Sequence, residues 1–170
     1  MLFGSYRVGE KKDRPPRLAL QFKEGEINFY SCSVKFIEER LDDLYDWSAD
    51  VLSDRWDPKQ ARKKLKLIPE TLVTDVLLDQ NIFAGVGNII KNEVLYRVKV
   101  HPESTVGGLP PRKLTELINE ARNYSFDFLK WKKEYVLRKH WLVHKKKICS
   151  RDGSVITRQH LGKTNRRTFF

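Results

Sequence analysis

The sequence is poor in the features that mark secreted and membrane-bound chains. It holds two cysteines, Cys32 and Cys149. These are too few for a disulfide framework and fit a reducing, cytoplasmic compartment. No apolar run approaches the roughly 20 residues that a membrane span needs. The first residues, Met1-Leu2-Phe3-Gly4, lack the charged start and long apolar middle of a secretory signal. Internal repeats and low-complexity tracts are also absent. One region is short of acid: residues 130–170 hold Glu134 and Asp152 against 13 Lys and Arg.

What is present balances these absences. The 170 residues, 40% of them hydrophobic, suffice for one ordinary domain or two small ones with a core. The formal charge is +11, and the residues before Lys130 carry 20 basic and 20 acidic side chains. The whole excess therefore sits in the C-terminal quarter. Trp131, Tyr135 and Trp141 are interleaved with the cations there, which favours a nucleic-acid footprint over a solvated tail.

The pattern predicts an α+β chain. Leu18, Leu20 and Phe22 alternate with polar residues, Glu24-Gly25-Glu26 turns, and Ile27 and Phe29 alternate again, as in a hairpin. Leu2 to Val8 reads as a further strand. Asp57-Pro58 with Gln60 marks a helix start that runs to about Leu67. Pro69 is expected to open a second helix with Leu72, Val73, Val76 and Leu77 buried. A third begins near Gly87 with Ile90, Val94 and Val98 inward, and Pro110-Pro111 opens a fourth to about Leu129. Cys149 to Phe170 reads as a turn-rich hairpin.

The stretch LLDQNIFAGVGNIIKNEVLYR, Leu77–Arg97, is the most informative. Two glycines flank Val86, and a helix begins just after them. A helix start presents unsatisfied N–H groups and a positive dipole end, and Asn88 adds an amide donor. By itself this suits either a phosphate oxygen or an ordinary helix–turn–helix corner.

The order LLDQ, AGVGN, Glu93 and then His101-Pro102 resembles the helix–two-turn–helix of the formamidopyrimidine-DNA glycosylase / endonuclease VIII family. Asn165-Arg166-Arg167-Thr168-Phe169-Phe170 resembles the second strand of that family's zinc-finger hairpin. Met1 to Arg7 resembles its intercalation strand. The resemblance implies residues 1–40 as a remnant of an N-terminal β-sandwich catalytic domain and residues 41–66 as linker and first helix. It implies residues 67–147 as the helix–two-turn–helix domain and residues 148–170 as a truncated zinc-finger-like hairpin.

The resemblance also implies roles. Asn88, Gly87 and Arg166 would grip DNA phosphates, and Lys145, Lys146, Lys147 and Arg167 would add salt-dependent affinity. Met1, Leu2 and Phe3 would fill the gap left by an everted nucleotide, with Phe36 as a second wedge. Glu93 would tie down the glycine turn. The implied partner is double-stranded DNA with an oxidised base or abasic site, bound by a monomer in a bacterial-type, nucleoid-associated setting. Val34 and Lys35 stand where guanine-type members have an arginine pair, and Phe128–Cys149 is short of glycine; both lean toward oxidised pyrimidines.

The family's chemistry uses the amine of an N-terminal Pro followed by Glu. No residue of this chain matches them, so no catalytic residue is assigned, and the chain is expected to be part of a longer enzyme and inactive alone. The family's finger binds zinc through two Cys pairs. Here Cys149 matches one ligand and Asp152 stands at the next, so no metal or other cofactor is expected in this chain, although zinc is possible in a full-length protein. The alternative is a non-catalytic helix–two-turn–helix module of the kind found in a ribosomal protein and a topoisomerase.

Overall fold

The alternating apolar residues near the start become a three-stranded antiparallel sheet in a computed structural model that describes residues 4–170. Met1, Leu2 and Phe3, the expected intercalating residues, lie outside the described residues. The chain divides into two units, one ending at Leu44 and one running from Tyr45 to Phe170.

In the first unit β1 (Ser5–Val8), β2 (Leu18–Phe22) and β3 (Gly25–Tyr30) pair in the order β1-β3-β2. The turn is Lys23-Glu24, one residue earlier than the composition suggests, and Gly25 already belongs to β3. Register places Tyr6 and Leu18 opposite Phe29, and Val8 and Leu20 opposite Ile27. These residues therefore share one apolar face, on which Tyr6, Val8 and Phe22 are all more than 60% exposed. The other face buries Asn28 and Tyr30 beneath the segment after β1. Lys12 N–H donates to Tyr30 Oη at 2.9 Å, and Asn28 Nδ2 donates to the Glu10 carbonyl at 3.1 Å. A short helix, α1 (Leu41–Leu44), closes the unit.

The second unit is helical. α2 (Pro58–Lys66) starts where Asp57 accepts the Lys59 N–H at 2.8 Å, with Pro58 at its first position. The helix expected from Pro69 is instead one turn, α3 (Val73–Val76). The reason lies in backbone pairing. Pro69 and Thr71 carbonyls accept from Gly107 and Val106, and the Val73 N–H donates to Ser104. Those groups are committed to a neighbouring loop and cannot close helical turns.

α4 (Asn88–Val98) and α5 (Pro111–Lys133) form the central pair. Ile90, Val94 and Val98 of α4 meet Leu114, Leu117, Ile118 and Ala121 of α5 in a core that also takes Leu65, Val73, Val76 and Phe83. α5 runs four residues beyond its expected end at Leu129. The chain finishes in a hairpin of β4 (Arg158–Leu161) and β5 (Arg166–Phe169), with Arg158 opposite Phe169 and Leu161 opposite Arg166.

Candidate nucleic-acid interface

The glycine turn before α4 is built by Gln80. Its carboxamide nitrogen donates to the carbonyls of Leu78 and Val86, each at 3.1 Å, and its oxygen accepts the Gly85 N–H at 3.1 Å. A carboxamide serves both polarities of a tight turn, which a carboxylate cannot. Gly85 has φ +92°, a conformation that glycine adopts freely. Gly87 is extended and exposed, and a Cβ built there meets nothing within 4 Å. The open ground in front of the α4 N-terminus is thus free for another molecule.

Asn88, the first residue of α4, turns its amide toward the hairpin, where Nδ2 donates to the Arg167 carbonyl at 2.9 Å. One residue earlier on β5 stands Arg166, exposed. Of the expected phosphate-binding residues, Gly87 and Asn88 thus stand at the start of α4 and Arg166 at the start of β5, and the two elements are joined by the Asn88–Arg167 bond. Lys145, Lys146 and Lys147 join Arg158 and Arg167 along a groove of about 590 Å³ whose buried lining residues are Ile156 and Phe169. Its lining includes five cations and no acid. The surface suits a polyanion with phosphates at regular spacing.

Beneath this surface, α4 carries a row of polar side chains that all reach the C-terminal segment. Lys91 Nζ donates to Thr168 Oγ1 at 2.7 Å. Asn92 Nδ2 lies 3.1 Å from His144 Nδ1. Glu93 accepts the N–H groups of Leu142, Val143 and His144 at 2.8, 3.0 and 2.8 Å. Tyr96 Oη lies 3.2 Å from Cys149 Sγ. Lys91, Asn92 and Glu93 are all fully buried. Burial, then the charges of Lys145, Lys91 and Arg167, lowers the His144 pKa to about 4. Its ring is neutral near pH 7, and Nδ1 is free to accept from Asn92.

The hairpin tip is held from α3. Asp75 accepts the N–H groups of Lys163 at 3.0 Å and Thr164 at 3.3 Å. Gly162 lies in this turn at φ +71°, and any Cβ there would collide with the Asp75 carboxylate. His101 packs edge-on against Phe170 with ring centroids 4.8 Å apart.

The formamidopyrimidine-DNA glycosylase H2TH domain matches residues 48–125. Endonuclease 8-like 3 of Xenopus laevis is 32% identical over 98% of this chain and 29% of its own length. Endonuclease 8-like 2 of Bos taurus is 34% identical over 95% of this chain and 51% of its own length. The chain belongs to the formamidopyrimidine-DNA glycosylase / endonuclease VIII family. It spans about half, or less, of the length of these relatives.

The family fold is shared with crystal structures. A viral DNA glycosylase superposes with a TM-score of 0.74 at 22% identity, covering 100% of this chain and 72% of that one. Lactococcus lactis formamidopyrimidine DNA glycosylase, non-covalently bound to DNA containing an AP site, gives 0.75 at 22%, covering 98% and 68%.

Within this family frame, one residue acts differently from expectation. Glu93 does not hold the glycine turn; Gln80 does, and Glu93 anchors residues 142–144 instead. The C-terminal element is a β-hairpin without the donor set of a zinc finger. Among the described residues no group of three His, Cys, Asp or Glu could hold a metal ion. Cys149 is buried against Tyr96, Asp152 accepts from Ser154 N–H and Oγ at 3.0 and 2.7 Å, and His160 Nδ1 faces the Asn165 carbonyl at 2.9 Å. Cys149 and Asp152 lie close together, but no third donor joins them among the described residues, which does not suit tetrahedral zinc. Val143, Cys149, Ile156 and Phe169 form a small core in that place. Phe36, the second expected wedge, is 98% exposed in the first unit.

The polar row on α4 was not legible as a site. Lys91, Asn92 and His144 carry no motif in this sequence, and their partners lie 52 to 77 residues away. The available signal was the spacing: three polar residues interrupt a helix whose apolar positions already account for its contact with α5.

Proposed function

We propose that these residues form the DNA-binding part of a base-excision-repair DNA glycosylase with AP lyase activity. The observation that carries this reading is the contact of Asn88, at the α4 start, with the backbone of Arg167, which itself lines an acid-free basic groove. Relatives named as endonuclease 8-like proteins, and structural neighbours named as complexes with abasic-site and oxidised-pyrimidine DNA, support it. The partner is duplex DNA carrying an oxidised base or an abasic site, engaged by a monomer.

The division of labour follows from the residues. Arg166 and the α4 start hold phosphates of the strand that carries the lesion, while the lysine run adds sequence-independent affinity. The damaged nucleotide must leave the stack for its sugar carbon to be attacked. The attacking amine and its proton-shuttling carboxylate have no counterpart among these residues, so the chain binds and does not cleave. The apolar sheet face in the first unit supports reading residues 1–40 as part of a β-sandwich, since a sheet with one apolar face needs a second layer over it. Val34, Lys35 and the glycine-poor segment after α5 favour oxidised pyrimidines.

Borohydride trapping on DNA with an abasic site, run beside a binding titration, tests this. The chain is expected to bind the duplex and to form no covalent adduct. Absence of binding would reject the DNA-binding reading. An adduct would place the nucleophile within these residues and reject the division of labour.

A further inference from the structure

Lys91 buries its ammonium completely, on the first turns of α4. Its Nζ donates to Thr168 Oγ1 at 2.7 Å, and it makes no ion pair among the described residues. Thr168 Oγ1 in turn donates to the Arg166 carbonyl at 3.1 Å. The next residue's carbonyl, Arg167, is held by Asn88. The backbone that presents Arg166 is therefore fixed from behind by a cation and an amide on one helix.

Such a cation is costly. Burial strips its water, and an apolar side chain of similar length would fill the same space without that cost. Three charged or titratable groups face it. Asp75 on α3 attracts it, but that carboxylate already accepts the Lys163 and Thr164 amides. Arg166 on β5 repels it. His144, after α5, is itself kept neutral partly by the Lys91 charge. Burial outweighs the rest and lowers the Lys91 pKa to about 8.

We propose that Lys91 is a positioning residue of the phosphate site, a buried cation that fixes Arg166 through Thr168 and whose counter-charge is the DNA phosphate received by Arg166 and the start of α4. This rests on the DNA-binding reading above. Without DNA, the charge of Arg166 opposes that of Lys91. A phosphate at Arg166 relieves that repulsion and holds the proton on Lys91.

The test compares Lys91→Met with the parent chain in two readouts, thermal unfolding and affinity for an abasic duplex at low salt. The variant is expected to unfold at the same or a higher temperature. Its affinity is expected to fall about tenfold, the coupling equivalent to a one-unit rise of the lysine pKa on binding. Unchanged affinity would overturn the proposal. A parallel loss of stability and affinity would also overturn it, because a purely structural lysine behaves that way. Should Lys91→Met not fold, NMR titration of the Lys91 side-chain nitrogen in the parent chain decides: a pKa that rises on adding duplex supports the proposal, and one that stays fixed overturns it. Failure of the parent chain to bind any duplex would reject the wider reading and this one together; parent binding with an indifferent variant rejects this one alone.

Discussion

The Glu93 carboxylate accepts the backbone N–H of His144 at 2.8 Å across 51 residues of sequence. Leu142 and Val143 donate to the same carboxylate, so one side chain of α4 sets the path by which the chain enters its lysine run. Three converging amides form a small anion receptor, and the protein fills it with its own carboxylate. Glu93→Gln keeps the shape but places an NH₂ against backbone donors. A loss of about 2–4 kcal/mol is expected, since buried donors are left unpaired. Urea unfolding measures it, and a loss of a few tenths would show that water replaces the carboxylate.

Acid should loosen the same region through His144. Its pKa is lowered from 6.5 to about 4, burial being the largest cause. Between those values the unfolded chain binds a proton that the folded chain does not. Stability tied to the neutral ring is therefore full above pH 6.5 and falls as pH drops toward 4, by roughly 3 kcal/mol in all. Urea midpoints measured from pH 7.5 to pH 4.5 should show this slope. His144→Gln, which cannot titrate, should flatten it.

These two residues mark where reading the sequence stops. The apolar spacing of α4 and α5 was legible because each helix's inward face is written in its own residues. The glycine turn ahead of α4 was legible through an ordered motif, while the contact of Asn88 with the Arg167 carbonyl was not. Glu93, Lys91 and Asn92 were not, because their partners arrive from distant segments, and a charged residue on a helix ordinarily reads as solvated. The short α3 was missed for a related reason: residues 69–73 pair with residues 104–107, a long-range exchange that overrides the local signal of Pro69. The hairpin was legible as a hairpin, but its support by Asp75 needed the fold.

Asp75 and Gly162 give a prediction about docking. Gly162 combines a positive φ with contact against the Asp75 carboxylate. Gly162→Ala therefore meets backbone strain and a clash at once, and should cost about 1–3 kcal/mol. The loss should be local. Hydrogen exchange is expected to speed up at the Lys163 and Thr164 amides, which Asp75 accepts, while the core amides of α4 keep their protection. Uniform acceleration would instead place the hairpin in the same cooperative unit as the helices.

The salt dependence of binding separates phosphate contacts from mere shape. Each phosphate neutralised releases counterions, so the logarithm of affinity falls with the logarithm of salt in proportion to the number of contacts. Arg166→Ala should lower affinity and reduce that slope by about one. Lys147→Ala, on the exposed lining of the groove, should reduce it by less. Asn88→Ala removes a neutral side chain, so it should weaken binding while the slope stays put. Its lost contact is the one that holds the Arg167 carbonyl, and its effect is on the placement of the arginines rather than on charge. If Arg166→Ala weakened binding with an unchanged slope, Arg166 would be serving the hairpin's structure, and the phosphate would have to be sought farther along the groove, at Arg158 and Lys147.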